Sequence, residues 1–454
     1  MFVNTVYQNR RRILKHRVDQ GVIWLQGNQE VGMNYPGNPY PFRQDSNMLY
    51  YTGIEKPNTH LIIDIDEDEE YLIGDDLTPD ETIWIGDLPR MEVHAEEAGI
   101  SNTLPNEELG NILKKAVLSG RTIHTLPTYH GYQKENILQL TGNAQEPSED
   151  LIRAIVDQRS KKENREIIEI ENALGTTAEV HRLVLEESMA GRSEQEIYAK
   201  AVQVVLRNGG RLAYNAIVTV MGQILHINTY DNHLKEGQML LCDMGAENAM
   251  HYASDITRTF PVNRKFTSQQ KDIYEIVLRT LDNSIERLRP GIQFKDVHLQ
   301  AAKDITQGLI DLGLMRGNVD DIVEAGAHAL FFPHGLGHML GLDVHDMEGL
   351  GETYVGYNSV TRRSEQFGTS NLRLGRILEE DFVITVEPGL YFIPNLIEIW
   401  KGEQKYQEFI RYDRLNSWMN FGGVRIEDNV VITDKAGKIL GPPIPRSIEE
   451  IESV

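Results

Sequence analysis

Four acidic residues in the second half of the chain stand where a charge is most expensive. Asp243 closes the apolar run Met239-Leu240-Leu241-Cys242, and Asp255 lies inside Tyr252-Ala253-Ser254-Asp255-Ile256-Thr257. Glu387 follows Ile384-Thr385-Val386, and Glu427 follows Val424-Arg425-Ile426. Runs of this kind read as buried strands, and an isolated carboxylate facing a core is strongly disfavoured. A salt bridge relieves any one of them. Four together ask for a fold in which the strand ends meet around a shared cation.

The stretch His334 to Asp346 supplies the complementary donor. It packs three histidines, two aspartates and three glycines into thirteen residues, in a chain with 14 histidines among 454 positions. The His334–His338 spacing would align two imidazoles on a helix, as in the zinc motif that carries a glutamate after its first histidine. Gly335 occupies that position here, and Gly335, Gly337 and Gly341 argue against a regular helix. The segment therefore reads as loop and strand, contributing one ligand and two accessory histidines. Asp243, Asp255, His338, Glu387 and Glu427 make five hard or borderline donors with no thiolate. That set suits manganese, cobalt or zinc and is large enough for two divalent ions sharing carboxylates. A hairpin turn centred on Ala249 would put Asp243 and Asp255 directly opposite one another, with Cβ atoms about 4.5–5.5 Å apart. Carboxylates that close repel unless a proton or a cation intervenes.

Composition narrows the class. A chain of 454 residues suggests two or three domains, and 40% hydrophobic with 25% charged residues is ordinary for a globular protein. A net charge of −23 argues against nucleic acid or an anionic membrane as partner, but leaves peptides open. Cys242 is the only cysteine, so no intrachain disulfide can form. Met1 to Arg17 is polar and basic without the apolar core of a secretory signal, and no apolar run approaches the roughly 18 residues of a membrane span. A cytoplasmic enzyme is the expectation.

Along the chain, residues 4–20 read as an amphipathic helix stopped by Gly21. Strands are expected at 22–25, 48–52, 60–65, 71–73, 82–85 and 122–126, with helices near 92–98 and 106–118. The acidic run Asp66 to Glu70 lacks the glycine of a calcium loop and reads as a hairpin tip. Gly142 to Asp150 reads as the boundary between an α/β domain, 1–150, and a second domain, 151–454. That second domain opens with a helix over 161–190 and another announced by the capping box Ser193/Glu196. Strands are expected at 217–220, 224–227, 239–244, 250–253 and 256–261, then helices at 268–289 and 294–313.

Taken in order, Asp243-Met244-Gly245, Ser254-Asp255-Ile256-Thr257-Arg258-Thr259-Phe260-Pro261, His334-Gly335-Leu336-Gly337-His338, Val386-Glu387-Pro388-Gly389 and Gly423-Val424-Arg425-Ile426-Glu427-Asp428 resemble the motifs of the pita-bread metallopeptidases, in the Xaa-Pro aminopeptidase and prolidase branch. Phe42-Arg43-Gln44-Asp45-Ser46-Asn47 and Leu49-Tyr50-Tyr51-Thr52-Gly53 resemble the amino-terminal domain of aminopeptidase P. The resemblance implies an α/β amino-terminal domain followed by an α+β pita-bread (creatinase/aminopeptidase) catalytic domain, and a homodimer or homotetramer. It implies two ions, usually manganese: Asp243 chelates one, Asp255 and Glu427 bridge both, and His338 and Glu387 hold the second. Glu387 would carry a proton from the attacking water to the leaving proline nitrogen, while His345, His334 and His226 line the cleft and the first two contact substrate. Arg425 would orient Asp243, and Arg373, or alternatively Arg376, would meet the carboxylate or carbonyl beyond proline. The substrates implied are peptides with proline at the second position.

Two features depart from that pattern. The Asp243–Asp255 interval carries one added residue, at the Glu247–Met250 turn, where a bulge can absorb it. The stretches 352–372 and 394–420 are long and look more like prolidase, which makes a strict dipeptidase the alternative. A metal-free creatinase type or a silent peptide-binding module would lack the acidic ligands. A methionine aminopeptidase would lack residues 1–150.

Overall fold

A computed structural model describes residues 1–454. The chain forms two compact units, Met1–Arg159 with Gly349–Tyr354, and Ser160–Glu348 with Val355–Val454. No helix is long and apolar enough to cross a membrane.

The first unit is built on β1 (Val22–Gln26), β2 (His60–Asp64), β3 (Glu69–Ile73), β4 (Asn102–Leu104) and β5 (Ile123–His124), ordered β4-β3-β2-β1-β5. The β1–β2 and β2–β3 pairs are antiparallel, and β5 and β4 add in parallel at the flanks. Val22, Trp24, Ile62 and Ile73 on the sheet pack with Leu109, Leu113 and Ala116 of helix Asn106–Leu118 and with Ile137. Residues 65–68 form the turn between β2 and β3, so the acidic run is a hairpin tip as expected.

Two expected strands are helices. Ser46–Thr52 is helical because the Asp45 carboxylate accepts the Asn47 and Met48 amides and Gly53, at φ 71°, terminates the turn. Pro79–Ile85 is helical because Thr78 and Glu81 form a capping box ahead of Pro79. In both, capping chemistry overrode β-prone side chains.

In the second unit, helices Asn164–Glu187, Glu194–Arg207, Ser268–Arg287 and Phe294–Asp311 match their expected positions, and Ser193 with Glu196 makes the capping box. Ten strands complete the set in chain order. They are β6 (Arg211–Leu212), β7 (Ile217–Thr219), β8 (Met239–Asp243), β9 (Ala246–Glu247), β10 (Thr257–Pro261), β11 (Val383–Val386), β12 (Gly389–Tyr391), β13 (Gly423–Arg425), β14 (Asp428–Ile432) and β15 (Gly437–Ile439). They pair as antiparallel sheets β10-β8-β7, β11-β14-β15, β12-β13 and β6-β9.

Three expectations change here. Residues 224–227 lie in a turn that carries His226, and 250–253 form no strand apart from the isolated Glu247–Ala253 bridge. The β8–β10 register pairs Asp243 with Thr257, not with Asp255. The added residue is taken up in a turn centred on Met250, where the Asn248 amide donates to the Tyr252 carbonyl, the His251 amide donates to the Asn248 carbonyl, and the Asn248 side chain accepts the Met250 and Tyr252 amides. Moving the turn centre by one residue moves the pairing by two. Asp255 is therefore a diagonal neighbour of Asp243 and keeps its face.

Within the second unit, residues 355–372 and 394–420 touch one another. Helix Pro394–Gly402 buries Trp400, whose ring lies 5.7 Å from that of Phe367, and Phe392 stacks on Trp418 at 4.9 Å.

Candidate active site

The strand ends deliver the acids to one place. Asp243 is the last residue of β8, Glu387 is the residue after β11, Glu427 lies between β13 and β14, and Asp255 sits two residues before β10. Side-chain bonds tie these ends together. Asn429 accepts the Asp255 amide at 3.0 Å and donates to the Asp255 carbonyl at 2.5 Å, and Thr259 exchanges bonds with both backbone groups of Arg425.

Histidine 338 arrives by a different route. The His334–Met339 segment runs beside β11, with the Thr385 amide donating to the His338 carbonyl at 2.9 Å and the Glu387 amide to that of Leu336 at 2.8 Å. This approach requires glycine at 337, where a Cβ would collide with the Thr385 carbonyl. It explains why the histidine-rich stretch is not helical, and it places His338 Nε2 3.3 Å from Asp255 Oδ2 and 3.7 Å from Glu387 Oε1. His338 Nδ1 donates to the Met339 carbonyl at 3.0 Å, which leaves Nε2 facing the carboxylates.

Asp255, His338 and Glu427 are all buried and offer ligand atoms within 4.8 Å of one another. Glu427 Oε2 accepts from Thr257 Oγ1 at 2.7 Å, whereas Glu427 Oε1 is buried with no hydrogen-bond partner. Burial and the charges of Asp255, Glu387 and Asp243 hold the Glu427 carboxyl far above the usual range. Burial raises Glu387 to about 7 against the opposing charges of His338 and Arg425. Asp243 is raised by burial despite Arg425. Burial pushes His338 down, but the hydrogen bond and charge of Asp255 outweigh it and carry the imidazole to about 9. A buried group of carboxylates that resists ionisation, with an orphaned oxygen and an outward imidazole nitrogen, fits a divalent cation.

Arg425 Nη2 donates to Asp243 Oδ2 at 2.6 Å, its Nε to Thr257 Oγ1 at 3.1 Å and its Nη1 to the Tyr391 hydroxyl at 2.8 Å. Tyr391 in turn donates to His334 Nε2 at 3.0 Å, because His334 Nδ1 donates to the Gly335 carbonyl at 2.8 Å. His334 is thus neutral and engaged at both nitrogens, and burial with the nearby Arg425 charge pushes it down to about 3. His226 is exposed on its turn, close enough to His334 for its charge to add to that depression.

His345 packs edge-on against His338, with ring centroids 4.1 Å apart, and its Nδ1 lies 3.4 Å from Glu348 Oε2. Arg373 Nη1 meets that same Glu348 oxygen at 2.5 Å. Arg376 is engaged elsewhere: it lies over the Phe382 ring at 4.7 Å, 3.6 Å from Glu379, and donates to the Val355 carbonyl at 3.4 Å.

Sequence reasoning missed Tyr214, Thr257, Tyr391 and Glu348. Tyr214 is the most consequential, since its hydroxyl lies 2.7 Å from Asp243 Oδ1 and 2.5 Å from Asp255 Oδ1 and so spans the diagonal pair. No local motif marks it. Tyr391 lies four residues beyond Glu387, on the strand paired with Arg425's own, and that pairing was its only available signal.

Asp346, the last residue of the histidine stretch, does not join this group. It forms an ion pair with Lys162 at 2.9 Å in which both side chains are 1% exposed. Asp346→Ala removes that carboxylate from a buried ammonium, and is expected to destabilise the protein by about 3 kcal/mol, read as a fall in the denaturant midpoint. An unchanged midpoint would show the pair to be dispensable.

The comparisons with known proteins agree with this geometry. Residues 169–434 match the model of metallopeptidase family M24, and residues 7–124 that of the aminopeptidase P amino-terminal domain. The chain is 33% identical to a probable Xaa-Pro aminopeptidase of Emericella nidulans, over 96% of this chain and 93% of that protein. It is 31% identical to the Xaa-Pro dipeptidase of Homo sapiens, over 95% and 88%. The solved low-pH form of aminopeptidase P from Escherichia coli superposes with a TM-score of 0.83 at 29% identity, covering 100% of this chain and 98% of that one.

Proposed function

The chain belongs to metallopeptidase family M24, and from that premise we propose that it is a Xaa-Pro aminopeptidase, releasing the residue that precedes a proline at the second position of a peptide. The observation that carries this reading is the convergence of Asp243, Asp255, His338, Glu387 and Glu427, with the orphaned Glu427 oxygen among them. Curated relatives named Xaa-Pro aminopeptidase and Xaa-Pro dipeptidase support the substrate class. The dipeptidase is the second reading, favoured by the long 352–372 and 394–420 stretches.

Asp243 would hold one divalent ion, Asp255 and Glu427 both, and His338 and Glu387 the second. Manganese is the first choice, with cobalt or zinc as alternatives. The ions, when bound, supply Lewis acidity toward the scissile carbonyl and toward the attacking water.

The remaining chemistry belongs to the protein. As water oxygen adds to the carbonyl carbon, Glu387 accepts its proton; when the C–N bond breaks, Glu387 returns that proton to the proline nitrogen. His345, tethered through Nδ1 to Glu348, keeps Nε2 for the substrate. His334, through Tyr391 and Arg425, holds Asp243 in orientation and lines the cleft with His226. Arg373 meets the group beyond proline; Arg376, with its partners at Val355, Glu379 and Phe382, is the weaker candidate.

Proline has no N–H, so peptidases that read that donor lose a contact and a dedicated site is needed. The exposed apolar end of the Pro79–Ile85 helix, with Ile83 79% and Trp84 86% exposed, supports association into a homodimer or homotetramer. The single buried Cys242 and the net charge of −23 support a cytoplasmic location and a protein that binds neither nucleic acid nor membrane.

The test is hydrolysis by the manganese-loaded protein of Xaa-Pro-Xaa beside a tripeptide without proline. Cleavage confined to the proline peptide, and lost on chelation, is expected. Equal cleavage of both would overturn the proline specificity, and cleavage of neither would overturn the aminopeptidase reading.

A further inference from the structure

Glu348 lies beyond the five candidate ligands, yet it holds two of the residues proposed to meet the substrate, His345 and Arg373. Its Oε2 is 2.5 Å from Arg373 Nη1 and 3.4 Å from His345 Nδ1. The contact is built rather than incidental. The Glu348 side chain is only 15% exposed, and Met347 before it is buried at φ 64°, a left-handed conformation that a side chain rarely adopts and that reverses the chain between His345 and Glu348. Burial works against the Glu348 charge, but the hydrogen bond and charge of His345, with the charges of His338 and Arg373, keep its carboxyl below the usual range. The group held against the Arg373 guanidinium is therefore an anion of this chain.

This has a consequence for the length of the peptide. A dipeptide ending at proline presents a carboxylate, which gains from an arginine only if that arginine's charge is available. A longer peptide, or a dipeptide amide, presents a neutral carbonyl at the same point, which needs no ionic partner and is not repelled by a neighbouring anion. Resting on the Xaa-Pro reading above, we infer that Glu348 is a specificity-determining residue that occupies Arg373 and so selects peptides continuing past proline over those that end there.

The experiment compares Ala-Pro with Ala-Pro-amide, two substrates of equal length that differ in the terminal charge, in the manganese-loaded wild-type protein and in Glu348→Gln. The readout is the ratio of the two kcat/KM values. Loss of the Glu348–His345 contact affects both substrates alike and cancels in that ratio, so a merely structural role would not move it. The wild-type protein is expected to favour the amide. Glu348→Gln is expected to shift the ratio toward the free dipeptide by about tenfold or more, and Arg373→Gln added to it is expected to remove that gain. Glu348→Ala serves as a second variant should the glutamine protein fold poorly. A ratio that stays within twofold, or moves toward the amide, would overturn the inference while leaving the activity intact. Cleavage of neither peptide by the wild-type protein would overturn the Xaa-Pro reading, and this inference with it.

Discussion

Glu427→Gln is expected to lower kcat/KM for an Xaa-Pro-Xaa peptide by about 10³-fold or more, while raising the thermal midpoint of the metal-free protein. The two effects have one cause. Glu427 is 1% exposed, one of its oxygens has no partner, and burial with three neighbouring carboxylates pushes its carboxyl well above the usual range. An amide of the same shape keeps the Thr257 hydrogen bond, in which Thr257 Oγ1 can donate to the amide carbonyl, and removes an acid whose ionised form is disfavoured beside Asp255. Metal-free, the variant loses the cost of keeping an acid among buried carboxylates; with metal, it loses the ligand proposed to be shared between two ions. Activity assays paired with melting curves, with and without manganese, separate these. A variant that retains a tenth of wild-type turnover would sink the five-ligand assignment, and a midpoint that falls without metal would mean Glu427 is an ordinary structural carboxylate.

Removal of divalent ions by a chelator is expected to abolish turnover and to expose a steep pH dependence of stability. The sign follows from the direction of the shifts. Glu387 stands near 7 in the folded chain, well above a free glutamate, so its contribution is fully present below the unfolded carboxylate range and is lost as pH rises through about 7. For Glu387 alone this is on the order of 3 kcal/mol. Glu427 and Asp243 are raised in the same sense. His338, near 9 against an ordinary imidazole, loses its contribution as pH rises toward 9. The three carboxyls therefore make the metal-free protein less stable from about pH 5 upward, and His338 adds to the loss only above the ordinary imidazole range, toward pH 9. Bound ions require the same groups deprotonated, so manganese should stabilise more at pH 8 than at pH 6, and its binding should release protons. Titration calorimetry at pH 7 in buffers of different ionisation enthalpy measures that release. Binding without proton release would contradict the electrostatics described for the site.

The convergence of the five candidate ligands, the aminopeptidase P-like first domain and most helices were legible because each depends on local chemistry. A carboxylate at the end of an apolar strand needs a cation whatever the detailed packing, and Ser193 with Glu196 starts a helix wherever it occurs. Where two local signals competed, reading by side-chain preference failed. Met48–Thr52 looked like a strand, yet Asp45 and Gly53 bracket it as a helix, and the capping bonds decided.

What only the tertiary structure decided are pairings between distant residues. The Asp243–Asp255 relation turned on whether the hairpin centres on residue 249 or 250, a difference set by the side chain of Asn248. Tyr214 on the two aspartates, the chain His334–Tyr391–Arg425–Asp243, and Glu348 between Arg373 and His345 join residues from separate segments. Hydrogen bonds of this kind form or fail over a few tenths of an ångström. The sequence alone determined which chemical groups the site requires and that they must converge. Which oxygen faces which nitrogen was decided by the packed backbone that carries them.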